Sequence, residues 1–273
     1  MFWKDEDIET LISEDMPYFD LTSYLLDVKG GKISFYSREK TISTLNDLVI
    51  LIAKKLNLEI EYFSKNGEII NEGDLLFRAK GDNVLILWKV VQNIYEYGCG
   101  VANYTYKMKK IANKYNPKIE ILTTRKVIPF TKKIALKAVI DGGGMPHRIT
   151  TSETILVFDN YINLYGGWDK FYKTFKFLKN KTAEKKWVVE AKSFEMIDKL
   201  IEIGVDVIQL DKFSIEDTKK VVDKVFDKNI LVIASGGINL SNIEEYSKTG
   251  IDSVVTTAPY FAKNSDIKVV IEK

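Results

Sequence analysis

Two carboxylates, Glu190 and Asp211, each close a short apolar run, Trp187-Val188-Val189 and Val207-Ile208-Gln209-Leu210. Acids placed together in this way can hold Mg²⁺, accept hydrogen bonds from sugar hydroxyls or stabilise a developing positive charge. Asp159 ends a third run, Ile155-Leu156-Val157-Phe158, and is a weaker candidate of the same kind. On the anion-binding side stands Ser235-Gly236-Gly237-Ile238-Asn239, between an apolar run and a helical pattern. Its glycines allow close backbone approach, and a following helix N-terminus would add N–H donors for a phosphate. Thr256 and Thr257, after the next run, could supply hydroxyls to the same group. Cations come from Arg125-Lys126 and from His147-Arg148, where His147 is the only histidine in the chain.

These residues share a position in the pattern. From about residue 118, short apolar runs alternate with amphipathic stretches. The runs are 119–122, 155–158, 187–189, 207–210, 231–233 and 254–255, with helices expected near 131–141, 168–180, 193–203, 215–226 and 240–248. Repeated βα units with buried, largely apolar strands predict a parallel sheet, either doubly wound or closed into a barrel. All six strand ends carry polar or charged groups: Thr123 to Lys126, Asp159-Asn160, Glu190, Asp211-Lys212, Ser235 to Gly237, and Thr256-Thr257. In a barrel those ends converge on one rim, whereas a doubly wound sheet would gather only the two at its switch point. The census therefore favours an α/β barrel with an anion-handling rim.

Ahead of the barrel, Ile8, Leu11 and Ile12 predict a helix over 5–14 that ends near Pro17. Segments 31–37, 47–51, 58–63 and 74–79 read as strands, although 45–56 fits a short helix equally well by periodicity. A long helix follows over 85–114. This gives an α+β domain over 1–105 and a barrel domain over 106–273. The aromatic-rich stretch 158–175 and the Lys-rich stretch 176–186 read as core packing and a solvated helix end.

Composition narrows the class of function. The 40 Lys and Arg are dispersed among 38 acids, for a formal charge of +2. That leaves no polyanion-binding surface of the kind nucleic acid needs, so any attraction for an anion is local. The apolar run 84–88 is too short to span a membrane. A single cysteine, Cys99, and an acidic N-terminus without a signal-peptide pattern point to the cytoplasm.

In order along the chain, Thr124-Arg125-Lys126, Gly142-Gly143-Gly144-Met145-Pro146-His147-Arg148, Val188-Val189-Glu190-Ala191, Gln209-Leu210-Asp211-Lys212 and Ala234-Ser235-Gly236-Gly237-Ile238 resemble quinolinate phosphoribosyltransferase. The early Glu14-Asp15-Met16-Pro17-Tyr18-Phe19-Asp20-Leu21-Thr22 extends the likeness to nearly the whole chain. Trp88-Lys89-Val90, the 152–159 segment and Thr256-Thr257-Ala258-Pro259-Tyr260 look closer to the ModD branch of pyrophosphorylases, associated with molybdenum-transport genes.

The resemblance implies a type II phosphoribosyltransferase fold, an α/β sandwich domain plus an open α/β barrel. It also implies a homodimer, or a higher homo-oligomer, with shared active sites. Phosphoribosyl pyrophosphate and a heteroaromatic acceptor would be the substrates, with Mg²⁺ as cofactor and pyrophosphate as product. In that scheme Lys126 contacts the phosphoribosyl substrate, Glu190 and Asp211 its ribose and Mg²⁺, and Ser235, Gly236 and Gly237 its 5′-phosphate, beside Thr256 and Thr257. Arg125, His147, Arg148 and the side chain at 158 line the acceptor pocket, and Lys89 reaches in from a neighbouring subunit.

Three departures bear on the acceptor. The family usually has Arg at position 89, Lys at 158 and commonly Gly at 257, where this chain has Lys89, Phe158 and Thr257. Lys89 replaces a bidentate fork by a point charge, and Phe158 removes a cation from a pocket built for a dicarboxylate. A base with fewer carboxylates, or one that stacks on Phe158, fits better than quinolinate. The alternatives are authentic decarboxylating quinolinate phosphoribosyltransferase and a non-catalytic anion-binding relative linked to molybdenum transport.

Overall fold

The structure is a computed structural model that describes Met1–Lys273 throughout. Along the chain the helices are α1 (Asp5–Asp15), α2 (Leu21–Leu26), α3 (Asn46–Lys55), α4 (Val84–Ala112), α5 (Lys132–Asp141), α6 (Asp159–Tyr165), α7 (Trp168–Asn180), α8 (Phe194–Ile203), α9 (Ile215–Val225) and α10 (Ile243–Lys248). The strands are β1 (Lys32–Ser37), β2 (Thr41–Ile42), β3 (Glu59–Phe63), β4 (Ile69–Ile70), β5 (Leu75–Lys80), β6 (Glu120–Thr123), β7 (Met145–Pro146), β8 (Ile155–Val157), β9 (Trp187–Ala191), β10 (Val207–Asp211), β11 (Leu231–Ser235), β12 (Ser253–Thr256) and β13 (Ile267–Glu272).

Two compact units form, and they differ from a single division after residue 105. The first holds residues 1–106, 127–143 and 259–273; the second holds 107–126 and 144–258. In the first, an antiparallel sheet runs β13-β1-β5-β3, so the last strand of the chain pairs with the first long one. Helix α5, expected as a barrel crossover, also belongs here. Its Ala135, Leu136, Ala138 and Val139 pack with Ile42, Val101, Ala102 and Tyr260. Gly142 ends it against α4, where an added Cβ would lie 2.4 Å from the Ala102 carbonyl oxygen.

The ambiguous stretch 45–56 is helical. Leu48, Val49, Ile52 and Ala53 are the buried positions of α3, a helical repeat, and Lys54 and Lys55 sit favourably at its C-terminal dipole. Phe35 packs edge-on against Phe77 and Tyr95, with ring centroids 6.3 and 5.9 Å apart, at the centre of this unit's core.

In the second unit seven parallel strands run β7-β6-β12-β11-β10-β9-β8. The terminal strands β7 and β8 do not pair with each other, so the barrel is open. Ser193 and Ser214 cap α8 and α9, accepting hydrogen bonds from the Met196 and Asp217 N–H groups. The barrel interior is an apolar layer of Leu122, Leu156, Val188, Val207, Ile233 and Val255. Burying each of these contributes about 1.5–3 kcal/mol. This layer is the platform on which the polar residues stand.

Candidate active site

Side chains alternate across a strand, so the residue two positions beyond each interior one faces the same way. Two residues past Leu122, Leu156, Val188, Ile233 and Val255 come Thr124, Phe158, Glu190, Ser235 and Thr257. Val207 is followed in the same phase by Gln209 and Asp211. All seven line one cavity of about 740 Å³ above the apolar layer. Arg125, Lys126, His147, Arg148, Gly236, Gly237 and Thr256 join them there.

Lys89 does not line the cavity. It lies exposed on α4 in the first unit, its ammonium 4.5 Å from the Trp88 ring centre and donating to Gln92 at 3.3 Å.

The cavity contains five cations (Arg125, Lys126, Arg148, Lys192 and Lys212) and three acids (Asp159, Glu190 and Asp211). Glu190 pairs in register with Gln209, which puts Asp211 on the diagonal of the same face. Burial first, and then Asp211, pushes the Glu190 carboxyl above its ordinary range, while Lys192 and Lys126 oppose the shift. Burial and the neighbouring Arg148 hold His147 down to about 4, so the imidazole is neutral at physiological pH. Arg148 is only 7% exposed and has no carboxylate partner. Buried guanidinium groups are normally paired, so this one is poised for an anion.

The glycine loop is shaped rather than merely flexible. Gly236 and Gly237 have φ values of 93° and 77°, in the region that favours glycine. A Cβ at Gly236 would lie 2.5 Å from Lys212 Cγ and 3.1 Å from Asp211 Oδ1. Asn239 and Asn242 both donate to the Gly237 carbonyl, at 3.1 and 3.2 Å. The Thr256 hydroxyl donates to the Ile238 carbonyl at 2.6 Å. Because peptides are planar and trans, pinning the Gly237 carbonyl turns the Ile238 N–H the opposite way.

Two expectations change here. Helix α10 begins only at Ile243, so no helix N-terminus follows the glycines directly. The Ser235 hydroxyl is also already engaged, donating to the Leu210 carbonyl at 3.0 Å and lying 3.3 Å from Gln209 Nε2. Ser235 and Thr256 thus brace the loop, and Thr257 faces the cavity.

Sequence reasoning missed Lys192 and gave no individual role to Lys212, Gln209 or Asn239, all of which line the cavity. Lys192 donates to Asp159 at 2.5 Å and lies 3.9 Å from Glu190, while Asp159 also accepts from Trp168 Nε1 at 3.2 Å. The signal was available, since Lys192 shares the phase of Glu190 one step further along the strand. Lys212 adopts φ 59°, its N–H held by the Ser235 carbonyl at 2.9 Å.

An open α/β barrel with paired acids, a cationic wall and a glycine cradle on one rim is the architecture of an enzyme that handles a phosphorylated sugar. The family described as quinolinate phosphoribosyl transferase, C-terminal domain, matches residues 101–270. The chain belongs to the quinolinate phosphoribosyltransferase family. It is 36% identical to the “Putative pyrophosphorylase ModD” of Pasteurella multocida, covering 100% of this chain and 99% of that one. A ModD of the same name from Escherichia coli O157:H7 is 31% identical, over 100% of this chain and 98% of its own. Among solved structures, the nicotinate-nucleotide pyrophosphorylase from Francisella tularensis superposes with a TM-score of 0.90 at 25% identity, over 99% of this chain and 98% of that one.

Proposed function

We propose that the chain is a ModD-like pyrophosphorylase that joins a nitrogen heterocycle to phosphoribosyl pyrophosphate and releases pyrophosphate. One observation carries this reading: two neighbouring carboxylates, five cations and a positive-φ glycine loop line the same cavity. The loop 236–239, with Thr257, would take the 5′-phosphate. Glu190 and Asp211 would accept from the ribose hydroxyls and stabilise positive charge at C1′ as the C1′–O bond breaks. The ring nitrogen then forms the C1′–N bond, and the electron pair of the broken bond leaves with pyrophosphate. Lys126, beside Glu190, is placed to meet the negative charge of that leaving group.

The donor set suits Mg²⁺. Glu190 and Asp211 are hard oxygen ligands, and the third acid, Asp159, is taken up by Lys192 and Trp168. The chain forms no cluster of three or more His, Cys, Asp or Glu able to hold a metal unaided. Mg²⁺ commonly binds through one or two carboxylates together with substrate phosphate oxygens and water. When bound, it supplies charge neutralisation on the diphosphate.

The acceptor would lie against Arg125, neutral His147, Arg148 and Phe158, a wall for one carboxylate and an aromatic face. The active form would be a homodimer in which Lys89 enters the partner's cavity. Helix α2 buries no residue, and Tyr18, Tyr24 and Leu25 around it are 89, 73 and 70% exposed. An apolar face of that kind calls for a cover. No helix is long and apolar enough to cross a membrane. With the lone Cys99 thiol buried and unpaired, we place the reaction in the cytoplasm.

The test incubates the protein with phosphoribosyl pyrophosphate, Mg²⁺ and a panel of pyridine, imidazole and purine acceptors, and reads pyrophosphate release. Turnover with a monocarboxylate or neutral base supports the proposal. Robust turnover with quinolinate and CO₂ release would make it an authentic quinolinate enzyme. Silence across the panel, with tight phosphate-ester binding, would make it a binding protein. For the dimer, mixing inactive Lys89→Ala and Glu190→Gln chains should restore part of the activity; no recovery removes the shared site.

A further inference from the structure

We propose that the acceptor site continues into a second cavity, and that the acceptor is a heteroaromatic carboxylate carrying an apolar substituent about the size of a ring. This rests on the phosphoribosyl-transfer reading above and names the substrate class of that same site. The second cavity measures about 510 Å³ and shares two wall residues, Arg148 and Leu156, with the first. Its origin lies in the topology. The chain passes from β7 to the free-edge strand β8 through a loop, residues 147–154, with no crossover helix to cover that edge. The gap is bounded instead by α6 and α7, the aromatic-rich stretch that reads as ordinary packing in the sequence.

The walls do not resemble a packing defect. Well-packed interiors leave few voids larger than a water molecule. Here Val157, Ile162, Phe171 and Trp187, each less than 9% exposed, still border open space, with Tyr161 and Leu164 at the rim.

One cation in this wall lacks a counter-charge and one buried hydroxyl lacks a hydrogen-bond partner. The Arg148 guanidinium, 7% exposed, has no carboxylate, and the buried Thr154 Oγ1 has no hydrogen-bond partner. Native structures pair nearly all such groups, so each of these calls for a partner from outside the chain, a water or a ligand atom. Arg148 stands where the two cavities meet, so an acceptor carboxylate on it leaves the nitrogen ring on the Phe158 side. The rest of the molecule then enters an apolar slot. Phe158 makes the first cavity less suited to a second carboxylate and so favours this division of the ligand.

The experiment measures binding by calorimetry without phosphoribosyl pyrophosphate, so it does not depend on turnover. The probes are pyridine-2-carboxylate, quinoline-2-carboxylate and the phenyl-substituted pyridine-2-carboxylates. At least one ring-extended acid should bind about tenfold or more tighter than pyridine-2-carboxylate, as burial of another ring requires. Thr151→Trp, at the exposed rim, should fill the slot and abolish that gain while leaving pyridine-2-carboxylate unaffected. Leu164→Asp provides a second block at a position that is 91% exposed and so takes no part in the buried core.

Equal affinity for monocyclic and extended acids overturns the proposal. So does equal loss for both in Thr151→Trp, or no binding by any extended acid at millimolar concentration. Pyrophosphate release is assayed separately. Tight, slot-dependent binding without release would sink phosphoribosyl transfer and leave the cavity assignment standing. Release that is indifferent to ring extension would do the reverse.

Discussion

Each unit buries a cation, and the two are treated differently. In the first, Lys137 on α5 donates to both carboxylate oxygens of Asp141, at 2.5 and 2.6 Å. Asp141 also accepts from the Thr44 hydroxyl at 2.6 Å, and its side chain is 8% exposed. In the second, Arg148 is as deeply buried and meets no acid. The neighbouring polar groups repeat the contrast. Asn46 is bonded by Tyr95, Ser43 and Asn66 in the first unit, whereas Gln209 Oε1 in the barrel is left without a partner. Satisfied burial specifies a fold, while unsatisfied burial keeps a site ready for a ligand at some cost in stability.

The largest effect that could break this comparison is at Glu190. Glu190→Gln should lower turnover by about a thousandfold, the scale of losing a group that stabilises transition-state charge. Its folded carboxyl is raised above the ordinary range, so the folded state disfavours ionisation. That penalty is absent below the unfolded pKa and develops as pH rises through the folded value. Glu190→Gln should therefore melt higher than the parent at pH 7, and the difference should vanish in acid. A variant that is both inactive and less stable at pH 7 would mean that Glu190 holds the fold.

Next come the two cations themselves. Lys137→Met leaves Asp141 buried with only Thr44, and should cost about 3–5 kcal/mol in denaturant unfolding. Arg148→Met removes a charge that has no partner to orphan, so stability should hold or rise while acceptor affinity falls. Similar destabilisation in both would show that Arg148 has a structural partner after all.

His147 sharpens the point through pH. Below 6.5 the unfolded chain takes up a proton that the folded imidazole, held at about 4, refuses. The chain should lose up to about 3 kcal/mol of stability as pH falls from 6.5 to 4. His147→Gln should remove that component of the acid loss. Within pH 6–8 the acceptor-binding profile should carry no His147 inflection.

Legibility in the sequence followed the strength of the period. The interior positions Leu122, Val188, Ile233 and Val255 are read two residues before Thr124, Glu190, Ser235 and Thr257, so the barrel and most of its rim were visible. Pairings distant in sequence were not. Strand β13 returns to β1, and α5 packs on Val101 and Tyr260, because both settle on surfaces that local pattern does not encode. Side-chain direction was the other blind spot. Thr256 and Thr257 look equivalent as letters and both border the cavity, yet the Thr256 hydroxyl is already spent on the Ile238 carbonyl, whereas Thr257 shares the inward phase of Val255. The second cavity was hidden for a related reason, since an aromatic run reads as packing whether or not it closes on itself.

Ser235 offers the smallest and most discriminating test, because it belongs to the paired category despite standing in the site. Its hydroxyl donates to the Leu210 carbonyl and lies within reach of the Gln209 amide, bonds that join β11 to β10 beneath the loop. Removing it leaves a buried carbonyl short of one donor, for a loss of about 1 kcal/mol. Ser235→Ala should thus lower the melting temperature by a few degrees and leave the KM for phosphoribosyl pyrophosphate nearly unchanged. Thr257→Val, which removes a hydroxyl facing the cavity, should do the opposite, raising that KM several-fold at constant stability. If Ser235→Ala instead raises KM at unchanged melting temperature, the hydroxyl must release Leu210 and turn to the phosphate when substrate binds. Position in the cavity would then outweigh pairing in the free protein as the guide to which groups serve the ligand.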